Sequence, residues 1–353
     1  MVIYLEVIGI DEIDRWNNKI MGFSDWDIYY LNEYARSFEL HGDGKPILLY
    51  AEVDGCRMAY AMMQNDIADD PHFEGRLAKN TLWDWTTPYG YGGPLVEGEL
   101  SEQWMKNVMC DIKDYAAEHN IVSQFFRFHP LTQNQKPLEG VSDVVYMKKT
   151  VYIDTSSRAA IDDDMTSNNR NMVRKAEKNG VRILTDQGER LDEFIAIYEE
   201  TMKHRNAEEY YYFDRSYFDY IIQYMKEYIR FYYAEYQGRI ISASIFFYNS
   251  NYMHYHLSGT LYEYRNLGAA NLILTEAAYW AAEHGITRFH LGGGVGIEDS
   301  LLRFKKHFNR NGLIDFCIGR NIFMQGKYDE LVNIRKEDPD FDENRPFMIL
   351  YRS

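Results

Sequence analysis

Apolar and polar residues alternate most regularly between residues 252 and 291, where they predict a strand, a turn, a helix and a second strand. Side chains alternate from Tyr252 to Ser258, as expected for a strand with two different faces. A turn at 265–270 follows, and Gly285 ends the predicted helix. The second strand, Thr287–Leu291, continues into three glycines. The apolar positions of the helix lie at helical spacing: Leu272, Leu274, Ala277, Ala278 and Ala281.

The first half of the chain repeats this order of elements. Asp54-Gly55 separates two apolar runs and predicts a β-hairpin, which a helix and a buried strand then follow. AEVDGCRMAYAMM at 51–63 resembles AEYQGRIISASIFF at 234–247. Ala-Ala-Glu-His occurs at both 116–119 and 281–284, each time at the end of a predicted helix. The repeated order indicates an internal duplication.

The pattern divides the chain into two α/β (α+β) domains with a boundary near residue 150. We predict an N-terminal domain at residues 1–150 and a C-terminal domain at residues 151–330. A basic helix opens the second domain, and Ser167 or Asn168 is expected to cap it. The segment at about 335–353 ends in the apolar run FMILY, which predicts a strand that joins the sheet of the first domain.

The composition and the net charge of the chain disfavour some classes of protein. The chain has 353 residues, of which 46% are hydrophobic, and a formal net charge of −16. That charge disfavours a protein that coats nucleic acid nonspecifically, although a local basic face could still contact phosphates. The first residues lack a basic segment and a long apolar run, and the sequence shows no segment that predicts membrane insertion. We therefore expect a soluble, cytoplasmic protein.

The turn Arg265-x-x-Gly268-x-Ala270 lies between the predicted strand and helix. Successive backbone N–H groups at the N-terminus of a helix can bind phosphate, and glycine lets the backbone approach closely. Arg265, Gly268, Ala269 and Ala270 are therefore candidate phosphate-binding residues. The alternative is an ordinary turn that caps the helix.

Two basic runs and two histidines are further candidates. Arg170 and Arg174 share a helix face and could bind phosphate or carboxylate, unless they only form a solvated surface. After the glycines, LLRFKKHFN combines apolar anchors with a lysine pair that includes Lys305, which could lie at the edge of a pocket or on a surface turn. His254 and His256 share one strand face, and either could act as a general base or form a structural hydrogen bond.

The sequence lacks the spacing typical of metal sites and of nucleophilic triads. Its three cysteines, Cys56, Cys110 and Cys317, lie far apart and are expected to be reduced, buried thiols. We find no Ser-His-Asp order, no Walker loop and no HExxH helix. The sequence therefore shows neither the spacing of a metal site nor that of a nucleophilic triad.

Taken together, these segments resemble the GNAT superfamily of acyltransferases, in particular its double-domain branch. That branch contains the Fem-type aminoacyltransferases, which build peptidoglycan cross-bridges. SNNRNMVRKAEKNGVRI resembles the basic helix of its second domain, and residues 252–285 resemble its acyl-donor half. LLRFKKHFN is similar to its late Phe-Lys signature, and TTPYGYGGPL to a turn of related double-GNAT proteins. The resemblance covers residues 27–325 and implies two tandem GNAT-like domains, each with a mixed, splayed central sheet flanked by helices.

The resemblance also implies a reaction and roles for particular residues. An acyl or aminoacyl group would move to an amine without the help of a metal. Lys305 would stabilise the developing negative charge, Phe304 beside it would contact the donor, and His256 or a nearby tyrosine would border the reacting carbonyl. Arg205 and Tyr210 would hold the acceptor in a cleft between the domains.

Two donors and a second function stay open at this stage. The R-x-x-G-x-A turn and the acidic charge favour acyl-CoA, such as acetyl-CoA, whereas the Phe-Lys run and the basic helix favour aminoacyl-tRNA. The acceptor would be a small molecule or a cell-wall precursor, such as one of peptidoglycan. The alternative function is a catalytically degenerate double-GNAT binding module for cell-wall peptide or a partner protein.

Overall fold

A computed structural model describes residues 5–294, 296–297, 299–344 and 349–352. Contacts within the chain divide it into two units. Unit 1 comprises Met1–Met147 with Phe316–Ser353, and unit 2 comprises Lys148–Asp315. Both contain a mixed sheet and helices, so the predicted α/β class is confirmed. None of the helices in the described ranges is both long and apolar enough to cross a membrane.

The sheet of unit 1 has the strand order β1-β2-β3-β4-β6-β13, and β5 pairs with β3. Neighbouring strands are antiparallel except for β4 and β6, which are parallel. The strands are β1 (Leu5–Gly9), β2 (Lys45–Val53), β3 (Cys56–Asp66), β4 (Trp83–Thr86), β5 (Leu95–Glu97), β6 (Ile121–Arg127) and β13 (Leu313–Ile322). The helices are α1 (Ile13–Met21), α2 (Asn32–His41), α3 (Glu102–Glu118) and α10 (Gln325–Arg335).

The sheet of unit 2 has the order β7-β12-β11-β10-β9-β8, and among its described strands only the neighbours β11 and β12 are parallel. Its strands are β7 (Asp143–Asp154), β8 (Arg182–Asp186), β9 (Ile229–Tyr236), β10 (Arg239–Tyr248), β11 (Tyr252–Thr260) and β12 (Arg288–Gly292). Its helices are α4 (Arg158–Asp164), α5 (Ser167–Lys178), α6 (Leu191–Arg205), α7 (Arg215–Tyr224), α8 (Ala269–Glu283) and α9 (Ser300–Lys306). The apolar side of α8 packs with β9, β10, β11 and β12 in one core cluster.

The sequence repeat corresponds to a repeat in local geometry. The hairpins β2–β3 and β9–β10 both turn through two residues with positive φ, Asp54-Gly55 and Gln237-Gly238. Both Ala-Ala-Glu-His helices also end alike. The His119 ring stacks on Tyr115 at 3.9 Å, and the His284 ring stacks on Trp280 at 4.1 Å. The same four residues therefore end both helices in the same way.

Three predictions about local structure were wrong. Thr166, rather than Ser167 or Asn168, caps α5, because its Oγ1 accepts a hydrogen bond from the N–H of Asn169 at 3.3 Å. Cys110 is exposed rather than buried. The described part of the predicted strand at 335–353 contains the end of α10 and a 3₁₀ turn at Leu350–Arg352, while residues 345–348 and 353 lie outside the described residues.

The 3₁₀ turn at the C-terminus has a physical reason. Tyr351 and Arg352 both donate hydrogen bonds to Oδ2 of buried Asp84, at 2.8 and 2.7 Å. Consecutive side chains of a strand point to opposite faces, so a strand could not bring both to one carboxylate. An apolar run predicted a strand here because the sequence does not reveal the buried aspartate to which these residues bind.

Candidate functional site

Strands β11 and β12 separate from one another inside the sheet of unit 2. They pair in register only between Tyr252–His254 and Arg288–His290. Strand β11 then continues to Thr260, and β12 continues to Gly292. The opening between two parallel strands exposes unpaired backbone edges, which can accept an extended group of a ligand. It is the splayed sheet that the sequence resemblance implied.

A β-bulge lies in β11 where this separation begins. Ile245 pairs with Leu257, but the next residue of β10, Phe246, pairs with Tyr255. His256 is therefore the extra residue of β11. A bulge bends its strand and increases the local twist, so it helps to separate β11 from β12.

Lys305 places its ammonium group where β11 and β12 separate. Asp299 begins helix α9 by accepting a hydrogen bond from the N–H of Leu302 at 2.8 Å. The Nζ of Lys305 donates a hydrogen bond of 2.7 Å to the carbonyl oxygen of Gly293, which directly follows β12. It also lies 5.9 Å from the ring centroid of Tyr255 on β11. The lysine thus reaches both sides of the opening.

Burial makes this lysine unusually acidic. Lys305 is only 7% exposed. Burial lowers the pKa of Lys305 to about 7, since a charged ammonium is poorly solvated there. The carboxylate of Asp299 opposes this shift, and the charges of Lys148 and Arg205 add to it. At neutral pH Lys305 can therefore be either a charged ammonium or a neutral amine. Groups with such a pKa are common at sites where charge develops during a reaction.

Lys148 is a second lysine beside the glycines that follow β12, Gly293 and Gly294, and the sequence analysis did not single it out. Its Nζ donates to the carbonyl oxygen of Gly294 at 2.6 Å, next to the carbonyl that Lys305 binds. Burial lowers the pKa of Lys148 as well. A Cβ on Gly294 would lie 2.0 Å from Oδ1 of Asp299, so only glycine fits between this carboxylate and the two lysines.

His256 lies on the other face of β11. Its Nε2 is 2.7 Å from the hydroxyl of Tyr217 in α7, and its ring packs edge-on against Phe247 at 4.7 Å. Burial, aided by the neighbouring His254, lowers the pKa of His256 to about 3. The imidazole is therefore neutral at neutral pH and only weakly basic. The structure does not bring His256 to Lys305, which lies with Tyr255 on the face that α8 covers.

The candidate phosphate turn forms the N-terminus of α8. A 3₁₀ turn at Tyr262–Leu267 leads to Gly268, whose φ of 76° places it in the left-handed region. Gly268 is the N-cap residue, so the first turn of α8, with Ala269 and Ala270, begins without a side-chain cap. Arg265 is exposed and donates a hydrogen bond of 2.7 Å to the carbonyl of Tyr262. A helix start without a cap suits a phosphate group.

Two buried asparagines lie beside this helix start and also escaped sequence reasoning. Asn271 on the first turn of α8 donates to Oδ1 of Asn169 on α5 at 2.6 Å. Asn169 is fully buried, and its Nδ2 has no hydrogen-bond partner among the described residues. Such a buried donor is destabilising unless a ligand or water completes it. It therefore adds a polar group next to the candidate phosphate site.

The remaining predicted residues lie in three different settings. Arg205 ends α6, is exposed, and lies close enough to Lys305 for its charge to lower the pKa of that lysine. Tyr210 is 39% exposed on a 3₁₀ turn and packs against Tyr211. Phe304 is half-buried and packs on Phe308, a core residue of unit 2, at 5.3 Å. The charge of Arg205 thus acts on Lys305, whereas Phe304 packs against the core.

Replacing Gly268 with alanine should weaken both the fold and donor binding. A Cβ at Gly268 would lie 2.5 Å from the carbonyl oxygen of Met172, and its positive φ disfavours any side chain. Gly285, at the other end of α8, has the same φ class but nothing within 4 Å of its Cβ. We expect Gly268→Ala to lower the free energy of unfolding by about 3 kcal/mol and Gly285→Ala by about 1 kcal/mol. Urea unfolding measures both losses, and equal losses of unfolding free energy in the two variants would contradict the close contact with Met172.

A family model described as an acetyltransferase (GNAT) domain matches residues 164–306, which span the opening and Lys305. A comparison with curated protein sequences finds no match. The chain is similar to a crystal structure of FemX, with 13% identity, a TM-score of 0.67, and 93% of this chain and 99% of that chain covered.

Two further solved structures have the same fold. One is the C-terminal domain of a putative lysylphosphatidylglycerol synthetase from Agrobacterium fabrum, with 12% identity, a TM-score of 0.55, and 91% and 96% of the two chains covered. The other is a tandem GNAT protein from the clavulanic acid biosynthesis pathway, with 10% identity, a TM-score of 0.51, and coverage of 91% and 99%.

Residues 164–306 match a GNAT acetyltransferase domain, and this segment contains the opening in the sheet. The similarity to FemX and to a tandem GNAT protein shows that the chain has a double-GNAT, Fem-like fold. The resemblance seen in the sequence is therefore confirmed for the fold. At 10–13% identity these structures establish architecture, and the reaction rests on the residues of this chain.

Proposed function

We propose that this chain transfers an acyl or aminoacyl group from an activated donor to an amine. The observation that supports this most directly is the position of Lys305. A buried ammonium group, with a pKa of about 7, lies between the separated strands β11 and β12. A carbonyl inserted in that opening would place its oxygen near a hydrogen-bond donor that is shielded from water.

The reaction follows from these groups. The lone pair of a neutral acceptor amine forms a bond to the donor carbonyl carbon, and the carbonyl oxygen becomes negative. Protonated Lys305 stabilises that oxyanion. The C–S bond of a thioester, or the C–O bond of an aminoacyl ester, then breaks, and the departing thiolate or alkoxide takes the proton that the amine loses. Alignment of the two reactants provides much of the rate.

The donor would bind along the start of α8. Its phosphate groups would accept hydrogen bonds from the backbone at Gly268, Ala269 and Ala270, where Asn169 offers a further buried donor. Acyl-CoA and aminoacyl-tRNA both bring phosphates and an activated carbonyl. The acceptor amine would lie toward Arg205 and Tyr210, and the Fem-like resemblance suggests the amine of a peptidoglycan precursor. The predicted role of His256 as a base stays a prediction.

Isothermal titration and a turnover assay together test this function. The purified chain is titrated with acetyl-CoA and with a non-hydrolysable aminoacyl-RNA, and acyl transfer to a peptidoglycan precursor amine is then followed by mass spectrometry. We expect binding of one donor, and turnover that Lys305→Met strongly reduces without loss of donor affinity. Donor binding without turnover would favour a degenerate binding module. A chain that binds neither donor contradicts acyl transfer.

A further inference from the structure

Three planar side chains form an exposed stack beside the candidate phosphate turn. The ring centroid of His204 lies 4.0 Å from that of Tyr262, with an angle of 24° between the planes. The Cζ of Arg265 lies 3.7 Å from the same Tyr262 centroid. Two groups that close to one centroid would overlap on the same face of the ring, so they cover opposite faces. The order of the layers is therefore His204, Tyr262, Arg265.

This stack does little to hold the fold together. Tyr264 and Leu267, on the same 3₁₀ turn, pack against the core of unit 2 and anchor the turn. Tyr262 is instead 48% exposed, and Arg265 is exposed as well. A hydrogen bond of 2.7 Å to the Tyr262 carbonyl helps to fix the guanidinium against the ring. Arg265 thus offers an exposed, flat cation, which the Tyr262 ring covers on one face and a hydrogen bond holds in place.

A flat cation of this kind binds nucleobases. Guanidinium planes and aromatic rings stack on the faces of bases, and such stacking tolerates any base because each has a π-face. The nearest acidic side chain on the turn, Glu263, is paired with Arg239 at 2.7 Å and so does not repel a nucleotide. The stack thus offers both stacking and positive charge.

Position along the chain links the stack to the donor. Tyr262 and Arg265 belong to the 3₁₀ turn that leads into Gly268, and a 3₁₀ turn rises about 2 Å per residue. Arg265 therefore lies roughly 6 Å along the turn from the start of α8. A nucleotide with phosphates on the first turn of α8 could place its base over the guanidinium.

We propose that this stack binds the adenine ring of the donor nucleotide, against the outer face of the Arg265 guanidinium. The inference rests on the proposed function, because the donor must carry a nucleotide. Adenine occurs in CoA and in the 3′-terminal adenosine of tRNA, so the same chemistry serves either donor. Tyr262 and His204 act behind Arg265 by holding its plane in place.

Titration calorimetry with matched ligand pairs tests the stack. The first pair is CoA and 4′-phosphopantetheine, which lacks the nucleotide. The second pair is a short RNA hairpin ending in CCA and the same hairpin ending in CC. We expect Tyr262→Ala to weaken binding of the adenine-bearing ligand by about tenfold and to leave its shortened partner unchanged. Whichever pair shows the difference identifies the source of the adenine.

Two variants complete the design. Tyr262→Phe keeps the ring and should bind like the wild type. Arg265→Lys keeps the positive charge but removes the planar guanidinium, so it should weaken binding of the adenine-bearing ligand only. This variant provides the test if Tyr262→Ala does not fold. If the wild type binds a donor and Tyr262→Ala binds it equally well, the stack has no such role. If the wild type binds no ligand of either pair, both the proposed function and the role of the stack are wrong.

Discussion

Replacing Lys305 with methionine should lower kcat for acyl transfer by roughly 10²–10³-fold while making the protein more stable. Loss of a hydrogen-bond donor to a developing oxyanion typically has an effect of this size on kcat. Methionine fills a similar volume without a charge, so the opening between β11 and β12 keeps its shape. Steady-state kinetics with a saturating donor would measure kcat. A matched control is Lys148→Met, which removes the neighbouring lysine but leaves Lys305 in place and should have a smaller effect.

The gain in stability follows from the pKa. A fall in the pKa of Lys305 from 10.5 to about 7 corresponds to roughly 4–5 kcal/mol at about 1.4 kcal/mol per pKa unit. The variant also loses the hydrogen bond to Gly293, which offsets part of this gain. We therefore expect Lys305→Met to raise the free energy of unfolding by about 3 kcal/mol.

The direction of the pH dependence distinguishes this explanation from a simple packing effect. Above pH 7 the unfolded chain holds a proton on Lys305 that the folded chain has released, so the stability of the wild type rises with pH. The advantage of Lys305→Met should thus be full below pH 7 and disappear as pH rises from about 7 toward 10.5. An advantage that does not change with pH would contradict the low pKa.

Activity should show the complementary pH dependence. If the ammonium form of Lys305 stabilises the oxyanion, its contribution is present below pH 7 and is lost as pH rises through about 7. The ratio of wild-type to Lys305→Met kcat removes the titration of the acceptor amine, which is common to both. We expect this ratio to fall above pH 7. A ratio that rises instead would assign Lys305 the role of a proton acceptor.

Sequence periodicity could predict the elements of unit 2 because each depends on local pattern. The strand at Tyr252–Thr260, the helix at Ala269–Glu283 and the residue at which it ends follow from alternation, helical spacing and one glycine. The repeated Ala-Ala-Glu-His also gave the same helix end twice, since its histidine bonds and stacks on a residue four positions earlier. These features need no knowledge of distant contacts.

Contacts between distant residues explain most of what the sequence could not predict at the site. Lys148 and the carbonyl of Gly294 are 146 positions apart, and Asn169 and Asn271 are 102 apart. No spacing rule links such pairs. Alternation placed His254 and His256 on one face of β11, but it could not indicate that α9 packs against the other face. The separation of His256 from Lys305 appears only when α9 is in place.

Removing the side chain of Arg352 should destabilise unit 1 by about 3 kcal/mol. The guanidinium donates two hydrogen bonds to Asp84, of 2.7 and 2.9 Å, and a third to Asp70 of 3.1 Å. Asp84 is only 2% exposed, so Arg352→Ala leaves a buried carboxylate without its main countercharge. Breaking a buried ion pair from one side typically lowers stability by 3–5 kcal/mol, and the partial exposure of Arg352 places it near the lower limit.

Tryptophan fluorescence can assign this loss to unit 1. Five of the six tryptophans lie in unit 1 and one, Trp280, in unit 2, so the fluorescence transition mainly reports unfolding of unit 1. We expect Arg352→Ala to lower its midpoint by roughly 10 °C. Lys79→Ala is the matched control, since its pair with Asp69, at 2.6 Å, is exposed and should leave the midpoint almost unchanged.

A double variant separates the buried charge from the lost contacts. Asp84→Asn removes the carboxylate charge that Arg352→Ala leaves uncompensated. The amide oxygen that this substitution introduces could still accept from the hydroxyl of Tyr351, which lies 2.8 Å from the Asp84 carboxylate in the wild type. The double variant should therefore be more stable than Arg352→Ala alone. A double variant that is less stable than Arg352→Ala would show that packing of Arg352, rather than its charge, holds the C-terminus in place.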